Sequence, residues 1–445
     1  MTKLGFYNGL KEIGGTFVVV ETDTARCMFD FGFANADIID NKVSCNPCDM
    51  AYYYVNLGIL TPMDGIYDDA TAHKLNLKSY SEDTKKNFFI ISHMHIDHMG
   101  GLGMLDPNIP VYMSADSLKL YRALARAGEA EISEHPNCIG IDYDNSFSVG
   151  DITVKVVRVD HDVEGACGFM IQTKDGSICY TGDYRFHGFH RDVTENFMKI
   201  CHGADVIITE GVTASFDDID MLSLEEPEDM GNSEEVLEEY MKERMEQESG
   251  LIVINNYNRN VERIHRLISL APKYNRKLVL EPIMAEYVRT FYPEDEIYVY
   301  EKSIAEVRFD IPSDWKMVSI EDILDNPSGY VLQQDYKHVY ELIDLKAVLS
   351  LYVHMDGAPL GAYDPSFKKL QDLMEKLGIN YIHKGTGGHS RPYYLRYMID
   401  NIEPGTLIPL HSFRPEQVMS KHAGCRILPE YGDIYEMKNG KLSLL

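Results

Sequence analysis

One short segment of this chain places three histidines and an aspartate directly after a strongly apolar run. The segment is His93-Met94-His95-Ile96-Asp97-His98, and the apolar run before it covers residues 88–92. A buried strand that leads into a polar loop is a common position for active-site groups. Imidazoles and a carboxylate suit Zn²⁺, Mn²⁺ or Fe²⁺, and the absence of thiolates favours a catalytic site over a structural one. The segment therefore predicts a catalytic metal site at a strand end; the alternative is a turn of exposed polar residues.

The rest of the sequence alternates predicted strands with predicted helices. The strands are short runs of β-branched and aromatic residues between turn residues. They cover residues 16–21, 27–31, 87–91, 152–159, 178–181, 206–209, 251–255, 277–280, 348–353 and 407–410. Helical patterns cover residues 258–271, 365–377 and 391–402. This alternation predicts a mixed α/β protein, and the length of 445 residues suggests two or three domains.

The formal net charge is −28, and much of it lies in one segment. Residues 217–248 contain 14 Asp and Glu and only two basic residues. We predict a solvated loop followed by a helix that Ser233 caps and that runs to about Glu248; an acidic docking arm is the alternative. A strongly negative protein repels nucleic acid and anionic membranes unless it carries a local basic site.

Other features of the sequence predict a cytoplasmic protein without membrane segments. No apolar run approaches the roughly 18 residues that cross a bilayer, and residues 1–15 lack the pattern of a secretory leader. The eight cysteines are scattered, as in proteins with reduced thiols. Cys45-Asn46-Pro47-Cys48 is a lone pair for which we expect no zinc or redox role. Whether the chain forms a homo-oligomer stays open.

The segment at residues 93–98 resembles the His-x-His-x-Asp-His signature of the metallo-β-lactamase superfamily. The later ligands of that superfamily have counterparts in the expected order: Asp160-His161-Asp162, Thr181-Gly182-Asp183, and His411 after the run at residues 407–410. The resemblance implies two divalent metal ions, with Zn²⁺ preferred and Mn²⁺ as the alternative. Metal one would bind His93, His95 and His161, metal two would bind Asp97, His98 and His411, and Asp183 would bridge them. Such a pair activates a shared water and stabilises the attacking and leaving oxygens.

A long insertion separates the last two of these ligands, since His411 follows Asp183 by 228 positions. The insertion resembles the β-CASP domain of nucleases such as RNase J, through residues 207–210, 254–263, 356–361 and 387–390. The resemblance implies an αββα metallo-β-lactamase sandwich formed by residues 1–212 and 384–445, with a β-CASP α/β domain at residues 213–383 inserted into it. RNase J has a further C-terminal domain, whereas only 34 residues follow His411 here.

The same resemblance implies roles around the reaction. The expected catalytic residues are Asp97, Asp183 and His389, with His389 as a general acid or phosphate donor rather than a metal ligand. The expected substrate contacts are Gly387, Gly388, Ser390, Glu210, Arg259, Lys384 and Arg391. Glycine N–H groups can approach a phosphate, and Ser390 would precede a helix whose N-terminus favours an anion; a simple glycine turn is the alternative. Arg259, Arg263 and Arg266 share one helix face, which predicts either a phosphate track or a surface salt-bridge face.

The sequence thus predicts a metal-dependent phosphodiester hydrolase that acts on RNA, with endonuclease and 5′-exonuclease action both open. One alternative is a hydrolase of a small phosphodiester or a lactone, which the acidic charge favours. Another is a non-catalytic RNA-binding or scaffold protein. Because RNA is a polyanion, the RNA hypothesis requires a locally positive cleft. We expect Arg259, Arg263, Lys384 and Arg391 to line it.

Overall fold

The computed structural model describes residues 1–34, 38–39, 43, 46–129 and 133–445, so Cys45 of the lone cysteine pair lies outside the described residues. Within them the chain forms three β-sheets and the helices around them. The strands are β1 (Thr2–Asn8), β2 (Phe17–Glu21), β3 (Ala25–Phe29), β4 (Lys86–Ile91), β5 (Val111–Ser114), β6 (Cys138–Ile141), β7 (Ser146–Val149), β8 (Ile152–Arg158), β9 (Cys167–Thr173), β10 (Gly176–Tyr180), β11 (Val206–Glu210), β12 (Leu251–Asn256), β13 (Lys277–Leu280), β14 (Tyr298–Tyr300), β15 (Lys316–Val318), β16 (Tyr330–Gln333), β17 (Leu349–Met355), β18 (Tyr381–His383), β19 (Thr406–Leu410), β20 (Cys425–Arg426), β21 (Ile434–Lys438) and β22 (Lys441–Leu444). The α-helices are α1 (Met50–Asn56), α2 (Asp69–Lys74), α3 (Ile96–Met99), α4 (Ala115–Ala127), α5 (Arg191–Cys201), α6 (Glu234–Gln247), α7 (Val261–Leu270), α8 (Pro282–Phe291), α9 (Ile320–Asp325), α10 (Leu342–Leu345), α11 (Pro365–Leu377) and α12 (Pro392–Ile402).

Two of the sheets pack face to face around an apolar layer. The first has the strand order β22-β21-β1-β2-β3-β4-β5-β6, and the second has the order β20-β19-β11-β10-β9-β8-β7. Val18 and Val20 of β2 meet Val154 and Val156 of β8 in the core between the sheets. Val19, between the first two, points to the opposite face and joins a different core cluster. This alternation follows from the period of two along a strand.

Helices cover the outer faces of these two sheets and complete a four-layer αββα sandwich. α4 packs against β5 and β6 of the first sheet, and α5 packs against β8 and β9 of the second. α12 packs beside α5 on the same side. Each of these helices is amphipathic: the buried stripe of α4 includes Leu120 and Leu124, four residues apart, and that of α5 includes Phe197 and Cys201.

The third sheet belongs to a separate α/β layer structure. Its order is β15-β14-β13-β16-β12-β17-β18, and all neighbouring strands run parallel. Every residue of β12 is buried, as expected for a parallel sheet that helices cover on both faces. The strands of this sheet lie between residues 251 and 383, whereas those of the sandwich lie at residues 2–210 and 406–444. The boundaries of the two domains, at 212/213 and 383/384, stay a prediction.

Each of the ten predicted strands has a counterpart, and the differences lie at the ends. The predicted strand at residues 348–353, for example, extends to Met355. α7 begins at Val261 rather than at residue 258, because the Asn260 side chain caps it by accepting the Arg263 N–H. The helix in the acidic segment is confirmed, and the Ser233 side chain caps it by accepting the Val236 N–H.

The strand directions bring several carboxyl ends to one edge of the sandwich. β10, β11 and β19 are parallel neighbours, and β8 runs in the same direction because it is separated from β10 by the antiparallel β9. Polar loops follow each of these strands and also follow β4 of the facing sheet. Loops at such an edge commonly carry function on a rigid scaffold. Among the described residues, no helix is both long and apolar enough to span a bilayer.

Candidate metal centre

The seven predicted metal ligands converge at this edge of the sandwich. The first group of candidate ligands is His93, His95, His161 and Asp183, and the second is Asp97, His98 and His411. Within each group, one candidate ligand atom of every side chain lies within 4.8 Å of the others. The chain supplies them from separate segments after β4, β8, β10 and β19, and Asp97 and His98 lie in the short helix α3. The strand directions therefore bring together residues that lie far apart in the sequence.

Asp183 lies between the two groups. Its Oδ2 is 3.6 Å from His93 Nε2, 3.3 Å from His98 Nε2 and 3.4 Å from His411 Nε2. These four atoms are buried and have no hydrogen-bond partner among the described residues. Buried polar atoms are nearly always paired, because an unpaired one costs about 1–3 kcal/mol. Unpaired imidazole nitrogens around a carboxylate oxygen are a donor set that fits divalent metal ions.

The second ring nitrogen of two candidate ligands is held by the protein. Ser92 Oγ lies 3.0 Å from His93 Nδ1, and the carbonyl oxygen of Gly388 lies 2.5 Å from His161 Nδ1. A partner on Nδ1 fixes the orientation of the ring and leaves Nε2 free for a metal. Gly388 belongs to the loop that returns from the third sheet, so this loop helps to position a candidate ligand.

Asp30 is a buried carboxylate behind the site. Its oxygens accept hydrogen bonds from the Ser92 N–H (2.7 Å), the Ser92 hydroxyl (2.9 Å) and the Tyr180 hydroxyl, and His98 Nδ1 lies 2.8 Å away. The backbone of Asp30 has a φ of 54°, a left-handed conformation that aspartate tolerates better than most residues. Asp30 therefore orients His98 and fixes the start of the loop that carries the other ligands.

His411 has a different environment from the other histidines. The Gly14 N–H donates to its Nδ1 over 3.1 Å, which places the proton of the neutral ring on Nε2. A metal bound through Nε2 would need the other tautomer, whose Nδ1–H could donate to Thr16 Oγ1, 3.4 Å away, with loss of the hydrogen bond from Gly14. Residues near the N-terminus, Gly14 and Thr16, thus contact His411, the candidate ligand that comes last in the sequence.

Burial and neighbouring charges set the protonation of the histidines. Burial lowers the pKa of His161 to about 3, and burial together with repulsion from other imidazoles lowers the pKa of His93 well below its ordinary value. Both rings are neutral at pH 7, which is the form that binds metal. Burial also lowers the pKa of His98, but Asp183 and two further carboxylates raise it well above its ordinary value. A metal that binds His98 must therefore displace a proton.

His389 approaches Asp183 from the glycine loop. Its Nδ1 lies 3.1 Å from Glu210 Oε2 and 3.7 Å from Asp183 Oδ2. Burial lowers the pKa of His389, but the carboxylates of Glu210 and Asp183 raise it to about 10. His389 also forms a third group of possible ligands with Asp183 and His411. The structure thus places a proton-bearing imidazole beside the Asp183 carboxylate.

A cleft of about 790 Å³ opens above the site, between the sandwich and the loops of the third sheet. Its acidic lining residues are Asp97, Glu129, Asp162, Asp183, Asp335 and Asp356, and its basic ones are Arg259, Lys337 and the protonated His389. Acidic side chains outnumber basic ones in this lining. The described lining residues therefore do not form the locally positive cleft that RNA binding would require.

Comparison with known proteins shows which proteins carry a similar sequence. A family profile described as a "Beta-lactamase superfamily domain" matches residues 70–242, which include the candidate ligands from His93 to Asp183. Residues 70–242 therefore contain a domain of the metallo-β-lactamase superfamily. The chain is 21% identical over 463 aligned positions to "Ribonuclease J" of Mycoplasma genitalium, covering 100% of this chain and 74% of that protein. It is 22% identical to "Ribonuclease J 1" of Streptococcus pyogenes, covering 80% of this chain but only 63% of that protein.

A solved structure resembles this chain over nearly its whole length. It is the crystal structure of a protein of unknown function from Enterococcus faecalis V583, with a TM-score of 0.80 and 28% sequence identity. The likeness covers 97% of this chain and 99% of that chain. Both the sandwich and the third sheet therefore occur together in another protein of similar length.

The predicted substrate contacts lie at different depths below the surface of the cleft. Gly387, Gly388 and Arg259 line the cleft. Glu210 is buried beneath His389, and the buried Ser390 directs its N–H toward Glu210 Oε1 over 3.4 Å. Ser390 Oγ has no partner among the described residues. The two glycines are thus better placed than Glu210 to contact a substrate directly.

The predicted basic contacts are engaged by other groups. Arg259 pairs with Glu129 at 2.6 Å, and Arg263 is buried against Glu234 at 2.8 Å. Lys384 and Arg391 both bond to Asn232, at 3.4 and 2.8 Å, and neither lines the cleft. The arginines at positions 259 and 263 therefore neutralise buried or partly buried carboxylates rather than forming a free basic surface.

Sequence reasoning missed two carboxylates at this site. Asp30 and Asp162 both contact candidate histidine ligands. The sequence does point to Asp162, because this residue directly follows the candidate ligand His161. The sequence also points to Asp30, since it follows an apolar strand as the other site residues do. Neither pattern states which histidine the carboxylate will face, because that depends on the packing of distant loops.

Proposed function

We propose that this protein is a metal-dependent phosphodiester hydrolase that cleaves RNA, like the ribonucleases J that it resembles. The observation that carries the proposal is the unpaired, buried donor set around Asp183 Oδ2. The likeness to two ribonucleases J over 80–100% of this chain supports a phosphodiester substrate. Seven described cysteines are free, which supports a cytoplasmic location in a reducing compartment.

The donor set suits two divalent ions, and we favour Zn²⁺ over Mn²⁺ because five of the seven donors are imidazoles. Metal one would be held by His93, His95 and His161, metal two by Asp97, His98 and His411, and both by Asp183. Two bound ions would lower the pKa of a shared water and neutralise charge on the phosphate oxygens. The donor atoms of His93, His98, His411 and Asp183 are buried, and electrostatic effects are stronger at such positions than in water.

His389 would supply the proton that the leaving oxygen needs. Glu210 accepts from its Nδ1, so the ring is oriented with Nε2 away from that carboxylate. A positioned imidazole that gives up a proton in the transition state contributes about 10²–10⁴-fold in rate. Gly387 and Gly388 line the cleft beside His389, and we propose that their backbone N–H groups hold the phosphate.

The test is cleavage of a 5′-phosphorylated RNA oligonucleotide by the purified protein with and without added Zn²⁺ or Mn²⁺. We expect cleavage that a chelator abolishes and that Asp183→Ala lacks. Products of one nucleotide would indicate 5′-exonuclease action, and internal fragments would indicate endonuclease action. Metal binding without cleavage of any RNA would contradict the proposal.

A second function has specific support, namely hydrolysis of a small phosphodiester or a lactone. The cleft lining is acidic, and the cations predicted to contact RNA are paired with carboxylates or bonded to Asn232. Such a lining disfavours a long polyanion but accepts a short substrate whose single phosphate reaches the metals. Turnover of a small phosphodiester or a lactone under conditions that leave RNA intact would favour this function.

A further inference from the structure

We infer that Glu234 is the positioning residue that holds the glycine loop, residues 384–390, in place at the metal centre. The contacts of the loop stand independently of the proposed function, whereas their effect on catalysis rests on it. Glu234 is the first residue of α6, in the acidic segment at residues 217–248. The structure describes all 14 acidic residues of this segment, and only Glu234 among them is buried, with 1% of its surface exposed. One carboxylate of the segment thus faces the interior of the protein.

Two buried arginines share the carboxylate of Glu234. Arg263 of α7 donates to it from Nε over 2.9 Å and from Nη2 over 2.8 Å, and Nη1 of Arg185, which follows β10, lies 3.0 Å away. Burial raises the pKa of Glu234, but the two arginines lower it to about 2, so the carboxylate is ionised at pH 7. Arg185 also pairs with Asp160, and Arg263 also pairs with Asp356. Glu234 is therefore the carboxylate that the two arginines have in common, and its loss would leave buried charge less well compensated.

The same three side chains enclose the hydroxyl of Thr386 in the glycine loop. Thr386 Oγ1 lies 3.2 Å from Glu234 Oε1. It also lies 2.8 Å from Arg263 Nη2 and 3.3 Å from Arg185 Nη1. Because arginine only donates and an ionised carboxylate only accepts, the hydroxyl donates to Glu234 and accepts from both arginines. Arg185 Nη1 also donates to the carbonyl oxygen of Gly387 over 3.0 Å, so the loop is held at two successive residues.

The residues that follow Thr386 contact the metal centre. The carbonyl oxygen of Gly388 lies 2.5 Å from Nδ1 of the candidate ligand His161. His389 Nδ1, three positions after Thr386, lies 3.7 Å from an oxygen of the Asp183 carboxylate. A displacement of about 1 Å near reacting groups can cost about 10²-fold in rate. Glu234 thus acts on the site through Thr386 and contacts neither the candidate ligands nor the cleft lining.

Packing does not fix the loop at the residue after Thr386. A Cβ added at Gly387, where φ is 73°, would meet no atom within 4 Å among the described residues. The polar contacts of Thr386 and of the Gly387 carbonyl are therefore what holds this part of the loop.

Hydrogen–deuterium exchange of the metal-free protein tests these contacts without reference to activity. We expect Glu234→Gln and Thr386→Val to exchange about tenfold or more faster than the wild type in peptides that cover residues 384–391, because the loop loses hydrogen bonds that oppose its local opening. Thr386→Val leaves the ion pairs of Glu234 intact, so it remains informative if Glu234→Gln fails to fold. Thr386→Ser keeps the hydroxyl and should restore slow exchange. Glu235→Gln is the matched control, since Glu235 lies in the same first turn of α6 but is exposed, and it should exchange like the wild type.

Phosphodiester hydrolysis and Zn²⁺ content of the same variants test the effect on the site. We expect Thr386→Val to keep the wild-type Zn²⁺ content, since no candidate ligand is changed, and to lose about 10²-fold in kcat, which Thr386→Ser restores. The inference is overturned if Thr386→Val exchanges like the wild type, if Thr386→Ser exchanges as fast as Thr386→Val, or if Glu235→Gln matches Glu234→Gln. Fast exchange of the loop with wild-type kcat also overturns it. If the wild type hydrolyses no phosphodiester, the proposed function fails together with the catalytic effect, whereas unchanged exchange refutes the contacts of Glu234 alone.

Discussion

Replacement of Asp30 by alanine should destabilise the protein and weaken its metal site together. The buried carboxylate of Asp30 is contacted by the Ser92 N–H and hydroxyl, by the Tyr180 hydroxyl and by His98 Nδ1. Each buried donor that loses its partner costs about 1–3 kcal/mol. Removal of the charge also removes its own desolvation cost, so we expect a net loss of about 3–5 kcal/mol, as for one partner of a buried ion pair. Domain stabilities are usually about 5–15 kcal/mol, so a loss of this size is readily measured.

The assay is urea unfolding of the metal-free protein, followed by chelator competition for Zn²⁺. We expect a lower unfolding midpoint for Asp30→Ala, and about 10–100-fold weaker binding at the site that contains His98. Asp23→Ala is the control, since Asp23 is an exposed carboxylate that pairs with Lys174 at the surface, and it should change neither quantity. An unchanged midpoint for Asp30→Ala would refute the assignment of these hydrogen bonds. A lower midpoint with unchanged Zn²⁺ affinity would refute the role of Asp30 in orienting His98.

Further predictions concern the metals, the proton donor and the substrate. Asp183→Ala should lose most of the bound metal and the activity, because one carboxylate serves both ions; full metal content by elemental analysis would contradict the bridging role. His389→Ala should keep both metals and lose about 10²–10⁴-fold in turnover, and loss of metal would instead make His389 a ligand. Zn²⁺ binding should release protons and should tighten as pH rises toward the raised pKa of His98, because metal and proton compete for that ring; calorimetry in two buffers with different ionisation enthalpies measures this release, and its absence would contradict the assignment of His98. If RNA is the substrate, binding should fall only modestly with salt, at a log–log slope of about −0.7 per phosphate contact, and Lys337→Glu should weaken it; a steep slope would show basic contacts outside the cleft lining.

The sequence was sufficient for the parts of the fold that depend on local patterns. Short β-branched runs predicted ten of the 22 strands, which are distributed over all three sheets, and the segment at residues 93–98 indicated where the candidate ligands converge. The strand ends were less certain, because they depend on caps such as Asn260 at the start of α7. The pairing of β1 with β21 was not predicted, since it joins the two ends of the chain and has no local signal.

The electrostatics of the site could not be predicted from residue spacing. Arg259 and Arg263 were expected on one face of a helix, but spacing does not reveal which acidic residues lie opposite. In the structure Arg263 pairs with Glu234, 29 positions away, and Arg259 pairs with Glu129, 130 positions away. The net charge of −28 likewise gave no information on the cleft, whose acidic lining comes from both domains.

The central claim is that a metal pair bridged by Asp183 hydrolyses phosphodiester bonds. The most direct measurement is titration of Zn²⁺ into metal-free protein, with bound metal and cleavage of a 5′-phosphorylated RNA oligonucleotide followed in the same samples. We predict that cleavage rises as the second equivalent binds and that Asp183→Ala shows neither full binding nor cleavage. Cleavage that is already complete without metal, or two bound equivalents with no cleavage of RNA or of a small phosphodiester, would contradict the claim.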